Sequence, residues 1–275
     1  MKIGLLKYKN SLNIGDNIQT LAVAQHVEHT DHFVERDFLH QYEGQECVVV
    51  MNGWFTQEPE QWPPSDRVIP LFFGFHLVPE AAEAYRKHWK YLKKFEPIGC
   101  RDSGTADIIR SWSVEAYVSG CATMTFDERK TTPETQKVVL VDLDKRLFNR
   151  KERADYTKVS HALPFLGFSN ETKLSIARDL LSYYRNSATH VITSRIHCAL
   201  PCFAMGIPTL YCGETSYRTD LINIIGLPQV NLSKYRRAVL SKLPFVTPNF
   251  GRKKREMTSN LKQRLIELGV AVKAT

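Results

Sequence analysis

The segment from Val191 to Glu214 constrains the fold more than any other, and it reads VITSRIHCALPCFAMGIPTLYCGE. The β-branched run at residues 190–193 predicts a buried parallel strand. Ser194 offers a side-chain oxygen at which a helix can begin, and the apolar stretch 198–205 predicts that this helix is buried on most faces. A glycine and a proline then end the helix, and residues 209–212 predict the next strand. The segment therefore predicts a βαβ unit.

The strand-to-helix turn of this unit carries two chemically useful side chains, Arg195 and His197. Unpaired backbone N–H groups and the helix dipole attract a phosphate or carboxylate to such a turn. The arginine adds a bidentate partner for the same anions, and the histidine can act as a general acid because the unperturbed pKa of an imidazole lies near neutrality. Taken alone, His197 is equally consistent with a structural histidine, but its place beside Arg195 favours a functional role.

Strands and helices alternate along the rest of the chain, beginning with a predicted strand at residues 2–6. The main predicted helices span residues 18–27, 79–95, 171–184 and 217–225. Residues 127–136 are polar and predict a linker between domains. The predicted fold is α/β, with two Rossmann-like, doubly wound domains facing a cleft. Their predicted bounds are 1–130 and 131–275, and a C-terminal helix beginning near Arg252 falls in the second.

Side chains at the ends of predicted strands are the candidate ligand contacts, because open α/β sheets bind ligands there. They are Asp16, Asn52, Trp54, His76, Arg101 and His161. Asp16 is either the N-cap of the following helix or a carboxylate directed into a cleft. Asn52 and Trp54 follow a predicted strand at 47–51 in a loop, where the indole either stacks on a sugar or closes the core. Arg101 either binds an anion or pairs with Asp102 or Asp107.

Composition narrows the class of protein without identifying it. A net charge of +8 suits a protein that handles acidic small molecules or glycans as well as one that binds nucleic acid. The basic cluster 252–255 is typical of a solvated face. Six cysteines without CxxC spacing predict reduced thiols and no metal site. With no signal peptide or membrane-length apolar run recognised, we expect a cytoplasmic protein and leave peripheral membrane attachment open.

Several motifs together carry a resemblance to a known family. They are NIGDNIQ at 13–19, IGCRDSGT at 98–105, SGCATMTF at 119–126, VSHALP at 159–164 and ITSRIHCALPCFAMGIPTL at 192–210. In this order the motifs resemble those of the polysaccharide pyruvyl transferase family, and the arginine–hydrophobic–histidine segment is the most specific of them. The chain is short for the family, and no motif is recognised beyond about residue 227.

The resemblance implies a glycosyltransferase-B-like pair of Rossmann domains. It also implies the transfer of pyruvate from phosphoenolpyruvate to two hydroxyls of a sugar, forming a ketal on a polysaccharide or its lipid-linked precursor. Arg101 and Arg195 would then bind the phosphate and carboxylate of the donor, and His197 would be the central acid. Asp16 and His161 would be the base or bind the acceptor. No metal or cofactor is implied, and the acceptor sugar and the oligomeric state are left open.

Two other functions fit parts of the sequence. A nucleotide-sugar glycosyltransferase would place a diphosphate on the Arg195 helix and use Glu214 for the ribose. A non-catalytic protein that binds polyanions or glycans would use the cluster 252–255 and would be indifferent to His197. The strand-end placement of the arginines argues against a continuous basic stripe, so nucleic acid is not an expected partner.

Overall fold

A computed structural model describes residues 1–151, 156–214, 216, 220–232 and 238–274. The structure divides into two compact units. The first unit comprises residues 1–10, 19–125 and 252–275, and the second comprises residues 11–18 and 126–251. The predicted division at residue 130 is contiguous along the chain, whereas the units interleave, since a short segment near the N-terminus joins the second unit and the C-terminal helix joins the first.

The first unit is built on a six-stranded parallel sheet in the order β2-β1-β3-β4-β5-β6. Its strands are β1 (Ile3–Lys7), β2 (His32–Glu35), β3 (Cys47–Trp54), β4 (Val68–His76), β5 (Ile98–Cys100) and β6 (Ala116–Val118). The helices are α1 (Ile14–Ala24), whose first turn belongs to the second unit, α2 (Pro79–Arg86), α3 (Trp89–Lys93), α4 (Ser103–Arg110) and α8 (Gly251–Glu267). Buried residues of these strands form a core in which Trp62 packs against several aromatic rings.

The second unit is built on a four-stranded parallel sheet in the order β10-β9-β7-β8. Its strands are β7 (Val138–Val141), β8 (Tyr156–Val159), β9 (His190–Thr193) and β10 (Thr209–Tyr211), and its helices are α5 (Asn170–Ser187), α6 (Ile196–Ala204) and α7 (Asp220–Ile224). Strands β7 and β9 are central, and of their eight residues all are buried apart from the half-buried His190. The predicted α/β class with two Rossmann-like parallel sheets is confirmed.

Each sheet has a point at which its strand order reverses. In the first unit the chain moves from β1 outward to β2 and then returns to β3 on the other side; in the second it moves from β7 to β8 and returns to β9. Loops leave the two strands at such a switch point in opposite directions, which opens a crevice at their carboxyl ends where ligands of α/β proteins bind. In the second unit this crevice is framed by the residues after β7 and β9.

Helix α8 belongs to the first unit because its apolar stripe faces that unit. Met257, Leu261 and Leu265 are spaced four residues apart and are buried. Arg264 adds polar contacts, since its Nη1 donates to the carbonyl oxygen of Phe72 at 2.6 Å and to Tyr117 Oη at 3.0 Å. The helix itself was predicted from the pattern, but its partner was not, because an amphipathic stripe does not specify the sheet that it covers.

Several predicted elements have different bounds in the structure. Helix α1 begins at Ile14, four residues before its predicted start. The predicted helix 79–95 is two helices separated at Lys87 and His88, and His88 has a non-helical backbone. The short strand β2 was not predicted. Part of the predicted helix 217–225 lies outside the described residues, and its described part forms α7.

Candidate functional site

The switch point of the second unit carries an ion pair between the residues that follow its two central strands. Asp142 follows β7 and Arg195 lies two residues after β9. Arg195 Nε donates to Asp142 Oδ2 at 2.6 Å. The Arg195 side chain is 40% exposed and that of Asp142 15% exposed. The guanidinium is therefore held by the protein and still accessible to an anion from solvent.

Asp142 is a well-satisfied carboxylate. Besides the hydrogen bond from Arg195, it accepts hydrogen bonds from Ser160 Oγ at 2.6 Å and from the backbone N–H of His161 at 3.2 Å. Burial by itself raises the pKa of the Asp142 carboxyl, but the hydrogen bonds from Ser160, Arg195 and His161 and the charge of Arg195 lower the pKa below its ordinary value. The group is consequently ionised at neutral pH and is a permanent partner of Arg195.

His197 is the second residue of α6 and is buried, with 6% of the residue exposed. The helix starts one residue later than predicted: Arg195 occupies the N-cap position, and Ser194 Oγ donates instead to the carbonyl oxygen of Asp142 at 3.2 Å. Gly15 lies directly against the histidine, because a Cβ added at Gly15 would lie 3.0 Å from His197 Cβ. Only glycine permits such an approach without displacement of one of the two segments.

Gly15 belongs to the NIGD loop, the name used for residues 11–16, which includes the first three residues of α1 and is organised by its own side chains. Ser11 Oγ donates to Asp16 Oδ2 at 2.5 Å, and Asn13 Oδ1 accepts the backbone N–H of Gly15 at 3.1 Å. The alternative that Asp16 is the N-cap of α1 is wrong, since Asp16 is the third residue of the helix and Asn13 provides the capping oxygen. Asp16 is 8% exposed.

Two further contacts fix this loop within the second unit. Lys173, which is 2% exposed, reaches from α5 and donates its Nζ to the carbonyl oxygen of Ser11 at 3.0 Å. The loop also pairs with residues 161–163, where Ile14 N donates to the oxygen of His161 at 2.8 Å and Leu163 N donates to that of Leu12 at 2.7 Å. The NIGD loop and the segment after β8 therefore form one small ribbon.

His161, the first residue of this ribbon after β8, is fully buried. Its Nε2 forms a hydrogen bond with Tyr184 Oη at 2.9 Å, and the two rings stack at a centroid distance of 6.1 Å. Its Nδ1 has no hydrogen-bond partner within the part of the chain that the structure describes. The backbone of His161 contacts both the NIGD loop and Asp142. A contact between its side chain and a substrate stays a prediction.

In the first unit Arg101 and its neighbours form a different kind of cluster. His76 Nδ1 lies 2.6 Å from Asp102 Oδ2, and both side chains are fully buried. Asp102 also caps α4 by accepting the backbone N–H of Thr105 at 2.9 Å. Burial raises the pKa of the Asp102 carboxyl, but the bond to His76 and the charges of His76 and Arg101 bring its pKa below the ordinary value.

Arg101 itself is 3% exposed, and its Nε lies 3.5 Å from Asp102 Oδ2. Of its two alternative partners from the sequence, Asp102 is the one found; Asp107 pairs with Arg110 at 3.1 Å. The carboxylate of Asp102 partly compensates the charge of the buried Arg101. A role of Arg101 in donor binding stays a prediction.

The loop predicted at Asn52 and Trp54 is wrong, because β3 continues through Trp54 with a register shift between Met51 and Gly53. Asn52 is 1% exposed, and its Oδ1 accepts the backbone N–H of Ala122 at 3.1 Å. Its Nδ2 lacks a hydrogen-bond partner among the described residues. Trp54 is half-buried. Both residues lie at the carboxyl end of a strand that borders the switch point of the first sheet.

The family model for polysaccharide pyruvyl transferases matches residues 13–216, which is most of the chain and includes the NIGD loop, Arg101, Arg195 and His197. The chain belongs to this family. The resemblance predicted from the motifs is thereby confirmed. A comparison with curated proteins gives no match.

Two solved structures resemble this pyruvyl transferase family member. One is a functionally uncharacterised protein from Klebsiella pneumoniae, with 13% sequence identity, a TM-score of 0.51 and coverage of 84% of this chain and 93% of that one. The other is a putative UDP-N-acetylglucosamine 2-epimerase from Listeria monocytogenes, with 12% identity, a TM-score of 0.42 and coverage of 97% and 98%. At 13% identity, the similarity to the Klebsiella pneumoniae protein is evidence for the fold alone.

The second unit thus brings together the loop of Asp16, His161, Arg195 and His197, while the first contains Arg101, Asn52 and Trp54. The sequence analysis did not select Asp142, although a carboxylate directly after the apolar run 138–141 is the same strand-end signal that selected the other candidates.

No helix among the described residues is long and apolar enough to span a membrane. Glu214 is exposed, and Arg252 pairs with Glu256 on the surface of α8.

Proposed function

We propose that this chain transfers pyruvate from phosphoenolpyruvate to two hydroxyls of a sugar and so forms a cyclic ketal. One observation carries the proposal: Gly15 of the NIGD loop packs against His197, so two family motifs from opposite parts of the sequence meet beside Arg195. This meeting occurs in the unit whose switch point carries the Arg195 side chain, which is 40% exposed. An anion site next to a buried imidazole suits a donor that must be both bound and protonated.

In the proposed reaction Arg195 holds the phosphate or the carboxylate of phosphoenolpyruvate. His197 delivers a proton to C3, which creates positive charge at C2, and a sugar hydroxyl forms a bond to that carbon. The C2–O bond to phosphate breaks, and a second hydroxyl adds to C2 and closes the ketal. A base takes the proton of each attacking hydroxyl; one of these protons is returned to His197, and the other leaves with inorganic phosphate. Phosphoenolpyruvate is a substrate, and the scheme requires no resident cofactor.

The proposal also assigns a catalytic or binding role to each of the remaining candidate residues. Asp16 is the proposed base, since its carboxylate lies in the loop that contacts His197 through Gly15. Arg101 is the proposed second ligand of the donor. Asn52, Trp54 and His161 are proposed to bind the acceptor, a glycan or its lipid-linked precursor. A cytoplasmic location and a peripheral association with the membrane belong to the same proposal.

The proposal is tested by thermal stabilisation of the wild type and of Arg195→Ala. We expect phosphoenolpyruvate to raise the melting temperature of the wild type, because a ligand that binds only the folded state stabilises it. We expect UDP-, GDP- and CMP-sugars to have no such effect. The shift with phosphoenolpyruvate should be reduced in Arg195→Ala and retained in Arg146→Ala, which removes an arginine from an exposed pair with Asp144 in the same unit. Stabilisation by a nucleotide sugar but not by phosphoenolpyruvate would overturn the proposal in favour of a glycosyltransferase.

A further inference from the structure

We infer that Asp142 is a positioning residue, which orients the guanidinium of Arg195 for the planar, multiply charged donor and thereby lets the site distinguish phosphoenolpyruvate from simple anions. The inference rests on the proposed function, because the ligand that Arg195 would orient is the donor of that reaction. None of the family motifs identified in the sequence contains Asp142.

The carboxylate of Asp142 is itself held rigidly. Its Oδ1 accepts Ser160 Oγ at 2.6 Å, and its Oδ2 accepts both Arg195 Nε at 2.6 Å and the backbone N–H of His161 at 3.2 Å. These donors come from the ends of two different strands, β8 and β9. A carboxylate fixed by three donors has little rotational freedom, so it transmits a defined orientation to the group that it binds.

The bond is made through Nε, the nitrogen nearest to the aliphatic part of the arginine. A guanidinium is a planar fork with five N–H donors, and a carboxylate on Nε leaves donors on both terminal nitrogens available for a ligand. The 40% exposure of the Arg195 side chain, against 15% for Asp142, is consistent with this arrangement. The inner edge of the guanidinium is anchored, and its outer edge is the part that can contact an anion.

The backbone conformation of Asp142 is unusual, and it supports the positioning role of this residue. Its φ is +52°, in the left-handed region that residues other than glycine adopt uncommonly, although aspartate and asparagine tolerate it best. Its N–H donates to Val159 O at 3.1 Å, and its carbonyl oxygen accepts Ser194 Oγ at 3.2 Å. The strand end is thus tied to both neighbouring strands in the conformation that directs the carboxylate to Arg195, and such conformations often occur where function needs them.

The role predicts opposite effects on two ligands when the negative charge is removed. In Asp142→Asn the positive potential around Arg195 increases, which favours any anion, but the guanidinium loses its charged anchor. Inorganic phosphate, which is compact and nearly spherical, should bind as well as before or more tightly. Phosphoenolpyruvate, whose phosphate and carboxylate need aligned donors, should bind about tenfold more weakly, the change expected when one charge-assisted contact is lost.

The experiment measures by calorimetry the dissociation constants of phosphoenolpyruvate and of inorganic phosphate for the wild type and for Asp142→Asn. We expect the preference for phosphoenolpyruvate over phosphate to fall about tenfold in the variant. Asparagine keeps the shape of the side chain and tolerates the left-handed backbone, so the fold should be retained. Ser160→Ala removes the bond to Oδ1 together with the bonds between Ser160 Oγ and the backbone of Ala162. It should shift the preference in the same direction to a smaller extent and provides a second test should Asp142→Asn fold poorly.

Asp144→Asn is the matched control. Asp144 lies two residues further on and pairs with Arg146 at 2.6 Å on an exposed part of the same unit, so the variant removes the same charge without touching Arg195. Its ligand preference should equal that of the wild type.

Three outcomes separate the inference from the proposed function. An unchanged preference in Asp142→Asn, with phosphoenolpyruvate still bound, refutes the positioning role alone. Equal tightening of both ligands refutes it as well, because Asp142 would then act only through its charge. A wild type that does not bind phosphoenolpyruvate refutes the proposed function and, with it, this inference.

Discussion

The two units each place an arginine next to an aspartate after a parallel strand, and the two pairs differ in almost every physical respect. Arg195 and Asp142 are joined at 2.6 Å, with side chains 40% and 15% exposed. Arg101 and Asp102 are 3.5 Å apart, with side chains 3% and 0% exposed. Asp102 is committed to a buried histidine and to a helix cap, whereas Asp142 has the arginine as a principal partner. The Arg195 side chain is therefore accessible to solvent, whereas the pair of Arg101 and Asp102 is buried within its unit.

The histidines beside the two pairs provide the test with the largest expected effect. In His197→Ala we expect the rate of phosphate release from phosphoenolpyruvate, measured with a panel of nitrophenyl glycosides as acceptors, to fall by about 10²- to 10⁴-fold, as for the loss of a general acid. Binding of phosphoenolpyruvate should be retained. His76→Ala, the matched change in the first unit, should act mainly on stability because it removes the imidazole partner of the buried Asp102. Normal turnover in His197→Ala would show that His197 is not the general acid.

The next largest effect concerns the integrity of the buried pair. Replacing Asp102 by alanine removes the partner of His76, the partner of Arg101 and the cap of α4. We expect a loss of about 3–5 kcal/mol in the free energy of unfolding, measured with urea, because a buried charge is left uncompensated. Asp107→Ala removes an exposed carboxylate from the same helix and should have little effect. Equal losses in the two variants would show that burial does not distinguish the pairs.

Arg195→Ala is expected to produce the reverse pattern at a smaller magnitude. The free energy of unfolding should change by no more than about 1 kcal/mol, as for exposed ion pairs. Affinity for phosphoenolpyruvate, measured by calorimetry, should fall about 10- to 100-fold with the loss of its charge-assisted hydrogen bonds. If Arg195→Ala instead lowers the free energy of unfolding as much as Asp102→Ala, the contrast between an accessible and a buried pair is wrong.

The smallest expected effect is the pH dependence of stability at Asp142. Its pKa is lower in the folded protein than the ordinary value of 3.8, so the carboxylate stabilises the fold above about pH 4 and loses that contribution as the pH falls through the lowered folded pKa. The difference in unfolding free energy between the wild type and Asp142→Asn should therefore be constant from pH 5 to 7 and shrink toward pH 3. A difference that grows on acidification would contradict the lowered pKa.

Local structure around the candidate site was predicted well because short-range signals determine it. The run 190–193 forms β9 as predicted, and α6 and β10 follow with bounds that differ by one or two residues. β-Branched residues favour a buried strand, and a glycine and a proline stop the helix wherever the segment lies in the fold. The less well predicted elements, such as β2 and the Asn52 segment, lack such signals: one is a short edge strand and the other continues its strand past a glycine.

The sequence by itself determined the alternation of strands and helices, the family motifs and the presence of arginines and histidines after strands, because each depends on neighbouring residues. Only the tertiary structure decided that Gly15 lies against His197 and that Asp142 anchors Arg195 while Asp102 is taken up by His76. Those pairings depend on the order in which parallel strands assemble and on how far each side chain is removed from water. Strand order and burial are properties of the whole sheet, so similar residues at similar strand ends acquire different surroundings.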